Sequence, residues 1–202
     1  MSPLETLGFA LGTSFASGLN LYATVAAAGL FQRLGVVTLP EPLQVLANPV
    51  VLGIALTLFL VEFIADKIPY VDSAWDALHT FIRPPAAALL SYSAFAGEGV
   101  PEEWKLSAAL LAGGVALTSH GAKASTRAAA NASPEPVSNW TLSLLEDGFA
   151  VFLAWLAAEH PLLAAMLVVV LVVLAVFLIW KLFSYLRQAI VRLKRGPSPA
   201  GP

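Results

Sequence analysis

Cysteine is absent from the 202 residues, so a disulfide, a thiolate nucleophile and a thiolate metal site are all excluded. Histidine is scarce, with three residues scattered at 79, 120 and 160, a spacing that suggests no metal cluster. There is no Gly-rich phosphate loop, no His-Glu-x-x-His and no Gly-x-Ser-x-Gly elbow. No cofactor motif is found, and a soluble type of enzyme is not expected. No basic region precedes the first apolar stretch, and that stretch carries Ser14, Ser17, Asn20, Tyr22 and Thr24. A cleaved signal peptide is therefore not expected, and the first helix should be retained. Charge is sparse as well: Asp, Glu, Lys and Arg make up 12% of the chain and balance to −2. That net value says little, and the placement of the charges says more.

What the chain has instead is apolar length. Leu162 to Trp180 contains no charged residue, amide, hydroxyl, Gly or Pro, and about 20 apolar residues are what a helix needs to cross a bilayer core. Hydrophobic residues make up 58% of the chain, and its mean hydropathy is +0.77. The expected fold is all-α: a single polytopic membrane domain over 1–202 with about six transmembrane helices. These fall near 5–31, 49–66, 84–97, 106–131, 139–158 and 162–190. The third rises only about 21 Å, so it is tilted, partly re-entrant or continued by a neighbour. Before it, Val71 to Arg83 is amphipathic: Ala74, Trp75, Leu78, Phe81 and Ile82 share one side, with Asp72, Asp76, His79 and Arg83 on another. This pattern predicts a helix lying at the interface with its polar face in water.

The basic tail over 187–202, with Lys181 before it, places the C-terminus in the cytoplasm by the positive-inside rule, and six spans then place the N-terminus there too. The tail is expected to meet anionic lipid headgroups rather than nucleic acid. A homo-oligomer is compatible with the sequence. Near-constant offsets of 93–94 link Pro40-Glu41-Pro42 with Pro134-Glu135-Pro136 and Asp66-Lys67 with Glu159-His160, and Gly18 to Ala27 can be laid on Gly121 to Ala130. Two repeats, about 1–100 and 105–190, with three spans each, would form an inverted 3+3 pair.

Gly18-Leu19-Asn20-Leu21-Tyr22, Glu62 to Asp72, Trp75-Asp76 and His120 through Asn131 resemble a family of small bacterial integral membrane proteins catalogued as a domain of unknown function. The likeness spans nearly the whole chain and implies a bacterial inner-membrane protein, with no substrate or catalytic residue attached. Glu62-x-x-Ala65-Asp66-Lys67 is also distantly similar to the Glu-x-Gly-Asp-Lys/Arg-Ser/Thr signature of a cation and proton exchanger family. It departs by an extra residue, by Ala in place of Gly, by Ile after Lys and by having no second copy.

Ionisable groups inside spans are costly and usually face a partner or a wet cavity. His120, Lys123 and Arg127 form one stripe, with Asn131 nearby. Glu146 and Asp147 lie at a matching depth, so pairing of Lys123 or Arg127 with Glu62, Asp66, Glu146 or Asp147 is expected. Asn20 and Tyr22 are the polar candidates of the first helix. Together these ten residues outline a substrate or ion pathway. Asp72, Asp76 and His79 are alternative ligands for a hard metal. The expected function is a transporter or channel-like protein for a small ion or a phosphate-bearing solute or lipid, with proton coupling. The alternatives are a scaffold whose ion pairs are structural and an intramembrane acid–base pair of His120 with Glu146 or Asp147.

Overall fold

A computed structural model describes residues 1–68, 70–131 and 136–195. They form eight helices: α1 (Pro3–Leu19), α2 (Leu21–Arg33), α3 (Pro49–Ala65), α4 (Val71–His79), α5 (Arg83–Ala94), α6 (Glu102–Asn131), α7 (Pro136–Glu159) and α8 (Pro161–Arg195). A short 3-10 helix, Glu41–Ala47, precedes α3. No strand occurs among the described residues, so the chain is all-α.

Sequence signals set the helix ends. Ser2 and Glu5 close a capping box at the start of α1, each satisfying the other's backbone N–H. Asn20 ends α1 and begins α2: its backbone is extended, its N–H bonds Ala16 O, and its Oδ1 accepts from Ala23 N at 2.8 Å. The chain reverses there. Phe9 and Thr13 share a pocket lining with Thr24 and Ala28, the pattern of two antiparallel helices hinged at Asn20. Thr38 to Pro42, beyond α2, accordingly line a cavity with Met1. The segment 5–31 is thus a helical hairpin with its tip at Asn20, not one continuous span.

The bundle has two ends. The Thr6 hydroxyl donates to Glu98 at 2.9 Å, and a Cβ on Gly8 would meet the Pro161 carbonyl. One end therefore gathers the start of α1, the α5–α6 connection and the α7–α8 junction. At the other end α3 finishes at Glu62 and Asp66, α6 at Asn131, and α8 continues past Ile179, which lies beside Gly121. The start of α1 and the far end of α8 are consequently at opposite ends. The expectation that the two termini share one side followed from counting the first hairpin as a crossing, and the last residues, 196–202, lie outside the described ones.

Along α6, Asn131 bonds Asp72, His120 bonds Thr80, Gly113 approaches Pro84, and Ala108 packs with Phe95. Thus α4 and α5 run antiparallel to α6 one after the other, and α5, too short alone, is continued by α4. The expected inverted relation between the first and fourth helices finds no support. Ala10 packs near Ala108 and Gly18 near Ala116, so α1 and α6 run in the same direction. Of the matched offsets, Pro134 and Glu135 lie outside the described residues, as do residues 196–202 of the basic tail.

Among the described residues two helices are long and apolar enough to cross a membrane, Trp140–Glu159 and Pro161–Tyr185, with mean hydropathies of 1.5 and 3.5. The 3-10 helix and α3, bent by 67°, make a third if taken as one span. This replaces the count of six. The physical reasons are the break at Asn20, the 17-residue length of α3 and the 12-residue length of α5. In α6 the polar run of Ser119, His120 and Lys123 lowers the apolar character.

The radial distribution of side chains is the reverse of a soluble protein's. Val50, Ile54 and Leu60 of α3 and Val169, Val173 and Phe177 of α8 are exposed, whereas Glu62, Asp66, Arg83 and Arg127 are fully buried. The closest packing is where small residues let backbones meet: Ala16, Ala112, Ala116, Ala157 and Ala164 are completely covered.

Candidate functional site

The hairpin tip, the end of α3, α4, the start of α5, and the middles of α6 and α7 enclose a cluster of buried charges. Its centre is Lys123. The ammonium lies 2.8 Å from Asp66 Oδ2, 3.0 Å from the Leu19 carbonyl and 3.3 Å from Glu62 Oε1. Glu146 Oε2 at 3.8 Å and Asp76 Oδ1 at 3.9 Å complete the surround. Leu19 is the last residue of α1, so Lys123 also meets the negative end of that helix's dipole.

Arg83 stands on the other side of Glu62. Its Nη2 donates to Glu62 Oε1 at 2.7 Å, and its Nη1 donates to the Gly18 carbonyl at 3.0 Å and to His120 Nδ1 at 2.7 Å. Asp76 Oδ1 is 3.4 Å away. A guanidinium can only donate, so Nδ1 of His120 must accept, and Nε2 carries the proton toward Asp76 O and Thr80 Oγ1. His120 is therefore a neutral imidazole. His79 is fixed in the other tautomer, with Nδ1 donating to Trp75 O at 2.8 Å and Nε2 accepting from the Tyr22 hydroxyl at 3.1 Å.

Arg127 closes the cluster toward the α6 end. It donates to Glu146 Oε2 at 2.6 Å, to the Asp66 carbonyl at 2.6 Å and to Asp66 Oδ2 at 3.3 Å, with Asp72 Oδ2 at 4.0 Å. Asn131 donates to both oxygens of Asp72. Asp147 lies beside the cluster and accepts from Asn20 Nδ2 at 2.8 Å.

Of the ten pathway candidates, Glu62, Asp66, His120, Lys123, Arg127, Asn131 and Glu146 are linked in this assembly, Asn20 and Asp147 pair with each other beside it, and Tyr22 bonds His79, whose other ring nitrogen turns to Trp75 O. The expected pairing of Lys123 and Arg127 with carboxylates is present at Glu62, Asp66 and Glu146. Asp147 instead bonds Asn20, and His120 bonds Arg83, Thr80 and the Asp76 carbonyl, so its hydrogen bonds are not the expected acid–base pair with Glu146 or Asp147. Asp72, Asp76 and His79 do not converge. Among the described residues no three or more of His, Asp and Glu stand ready to hold a metal ion: Asp72 turns to Asn131, His79 to Trp75 O and Tyr22, and Asp76 toward Arg83 at 3.4 Å.

The interfacial helix is corrected in its orientation. Asp72, Asp76, His79 and Arg83 are buried, whereas Leu78 and Phe81 on the opposite face are 56% and 81% exposed. The amphipathic pattern is real, but its charged face turns toward Lys123 and Arg127. Arg83 is the residue that sequence reasoning missed. It continues the 72, 76, 79 stripe by four residues, and that stripe was assigned to water.

Three buried cationic side chains, Arg83, Lys123 and Arg127, with the partly buried Lys67 near Asp66 and Asp147, thus face six carboxyl groups: Glu62, Asp66, Asp72, Asp76, Glu146 and Asp147. Several buried atoms have no hydrogen-bond partner, including Glu62 Oε2, Asp66 Oδ1, Asp147 Oδ2 and both carboxylate oxygens of Asp76. Such a cluster gains little from burial compared with apolar packing, and its surplus of acid calls for protons or further cations.

Residues 7–181 match the domain of unknown function DUF4126. No curated protein and no solved structure matches the chain. With most of its length inside that match, including every residue of the charge cluster, the chain belongs to the DUF4126 family.

Proposed function

We propose that this protein is a bacterial inner-membrane transporter or channel-like protein that moves protons or a small cation through the buried charge cluster. The observation that carries the reading is the surplus of six carboxyls over Arg83, Lys123, Arg127 and the neighbouring Lys67, with neither oxygen of the buried Asp76 accepting a hydrogen bond although Oδ1 lies 3.4 Å from Arg83. A buried surplus of negative charge is relieved by taking up a positive ion. A phosphate-bearing solute fits less well, since Arg83, Lys123 and Arg127 are already engaged by carboxylates.

The apolar exterior supports a bilayer setting, in which α7 and α8 cross, the 3-10 helix with α3 forms a further bent span, and the α1–α2 hairpin enters and returns. The end carrying Lys67, Lys181 and Arg187 faces the cytoplasm by the positive-inside rule, where the basic end of α8 meets anionic headgroups. The end carrying Glu5, Glu41, Glu98, Glu102 and Glu159 faces outward. A broken helix pair whose tip reaches a buried ionic site is a recurrent arrangement for ion binding in transporters.

The test is a flux screen of purified protein in liposomes with protons, alkali cations, inorganic phosphate and labelled lipid phosphates. Proton or cation flux above empty vesicles is expected, and flux of phosphate species alone overturns the reading.

A second reading, a scaffold with structural ion pairs, is favoured by a different observation. The surface cavities of about 300 and 320 Å³ are lined by apolar residues such as Val51, Leu58 and Leu111, not by the cluster. A single cysteine at 76 separates the two readings, because reaction with a small polar maleimide requires water to reach the cluster.

A further inference from the structure

A groove of about 300 Å³ runs along the apolar exterior between Leu21 and Val25 of α2, Val51 and Leu58 of α3, and Ala86 and Leu89 of α5. Tyr22 closes its inner end and is the one polar side chain of the lining, but its hydroxyl is already engaged by His79. The groove therefore offers nothing to a polar solute. Beyond Val51 lies the corner where α2 meets the 3-10 helix, and there Arg33, the last residue of α2, donates from Nη1 to the Ala47 carbonyl at 3.2 Å. That uses one of five guanidinium N–H donors. Arg33 is exposed, and among the described residues it has no carboxylate partner. It sits at the end that carries Glu5, Glu41, Glu98, Glu102 and Glu159, where Lys105 is paired with Glu102, and the positive-inside rule does not explain a free cation there. From Tyr22 to Arg33 α2 rises about 16 Å, which matches one leaflet, half of a hydrocarbon core of about 30 Å.

We propose that the α2–α3–α5 groove holds one acyl chain of an anionic phospholipid of the outer leaflet, with the lipid phosphate on Arg33. The chain enters past Val51 and ends against Tyr22, and the phosphate takes the N–H groups that Arg33 leaves unused, in the paired geometry a guanidinium favours. A second copy of the protein is a poorer occupant, because covering Arg33 without a counter-charge would bury an unpaired cation. The helices that clasp the chain also carry Tyr22, Glu62, Asp66 and Arg83, so the lipid braces the elements that hold the charge cluster without touching it. The site is separate from the basic end of α8, which lies at the opposite end of the bundle. It rests on the bilayer setting and orientation given above and not on passage of charge through the cluster.

Native mass spectrometry of the purified full chain in detergent tests it, with phosphatidylglycerol and phosphatidylcholine of the same acyl chains as the probes. The tightest phosphatidylglycerol is expected to bind about fivefold more strongly than phosphatidylcholine, the worth of one basic residue at a membrane surface. Arg33→Gln should erase that preference, whereas Arg187→Gln on α8 should keep it. Leu89→Trp, which fills the groove from its exposed rim, should weaken the binding of both lipids, and glycerol phosphate, a headgroup without chains, should not compete. Where Leu89→Trp lowers the unfolding temperature, Ile54→Trp, also on the exposed rim, is read in the same way. Equal binding of the two lipids, or a preference that survives Arg33→Gln, overturns the inference. So does competition by glycerol phosphate, which leaves only a phosphate contact, or a dimer that Leu89→Trp dissociates, which puts a second copy in the groove. Lipid preference without liposome flux keeps this site and removes the transport reading; flux without lipid preference does the reverse.

Discussion

Lys123 on α6 and Asp66 at the end of α3 meet at 2.8 Å with both side chains wholly buried, although 57 residues separate them in the chain. Removing one charge strands the other in a site that water solvates poorly, and each stranded partner costs about 3–5 kcal/mol. In detergent unfolding, Lys123→Met and Asp66→Asn should each be severe, and the double variant should lose clearly less than the sum. Lys123→Met with Asp147→Asn should couple more weakly, because Asp147 is held by Asn20. Additivity at the Asp66 pair would contradict the geometry.

Arg83 serves two directions at once, toward Glu62 and toward the Gly18 carbonyl and His120. Lysine offers one point charge and cannot span them. Arg83→Lys is expected to destabilise by about 2 kcal/mol or more despite conserving charge, and an unchanged unfolding curve would refute this role for the guanidinium.

Gly18 lies where α1 crosses α6, and a Cβ there would meet Ser119 Oγ and the Ala116 carbonyl. Gly18→Ala should displace the hairpin tip and destabilise the bundle. Gly53 on α3 has open space around it, so Gly53→Ala should be neutral or stabilising by about 1 kcal/mol from helix propensity. Equal effects of the two substitutions would argue against close approach at the tip.

Reporter fusions address the topology. The N-terminus and the 98–101 connection should report the same outer side and a fusion after Arg195 the cytoplasm. An N-terminus that reports with the tail would contradict the re-entrant hairpin.

Much of the fold was legible because apolar length and breakers are local properties. α7 and α8 begin at Pro136 and Pro161, and the run from Leu162 marks α8 by composition alone. The stripe of His120, Lys123 and Arg127, and its need for acids, followed from helical spacing and the cost of buried charge. The hairpin at Asn20 was not legible. An asparagine among small residues reads as a polar position within one long helix, and its capping of Ala23 becomes visible only once the chain has reversed. Arg83 was misplaced for a related reason. Periodicity finds the two faces of an amphipathic helix but does not say which medium lies beyond each, and in this bundle the charged face of α4 meets protein and its apolar face is exposed.

Whether the acid-rich cluster passes positive charge is decided by proton flux into liposomes under an imposed membrane potential. Internal acidification above that of empty vesicles is expected for the unaltered protein. Asp76→Asn, which relieves surplus acid and should keep its unfolding temperature, is predicted to lower the rate at least about tenfold, a barrier change of about 1.4 kcal/mol. Vesicles that acidify no faster than empty ones, with proton and alkali-cation gradients both tried, or an Asp76→Asn protein as fast as the original, would contradict passage through the cluster.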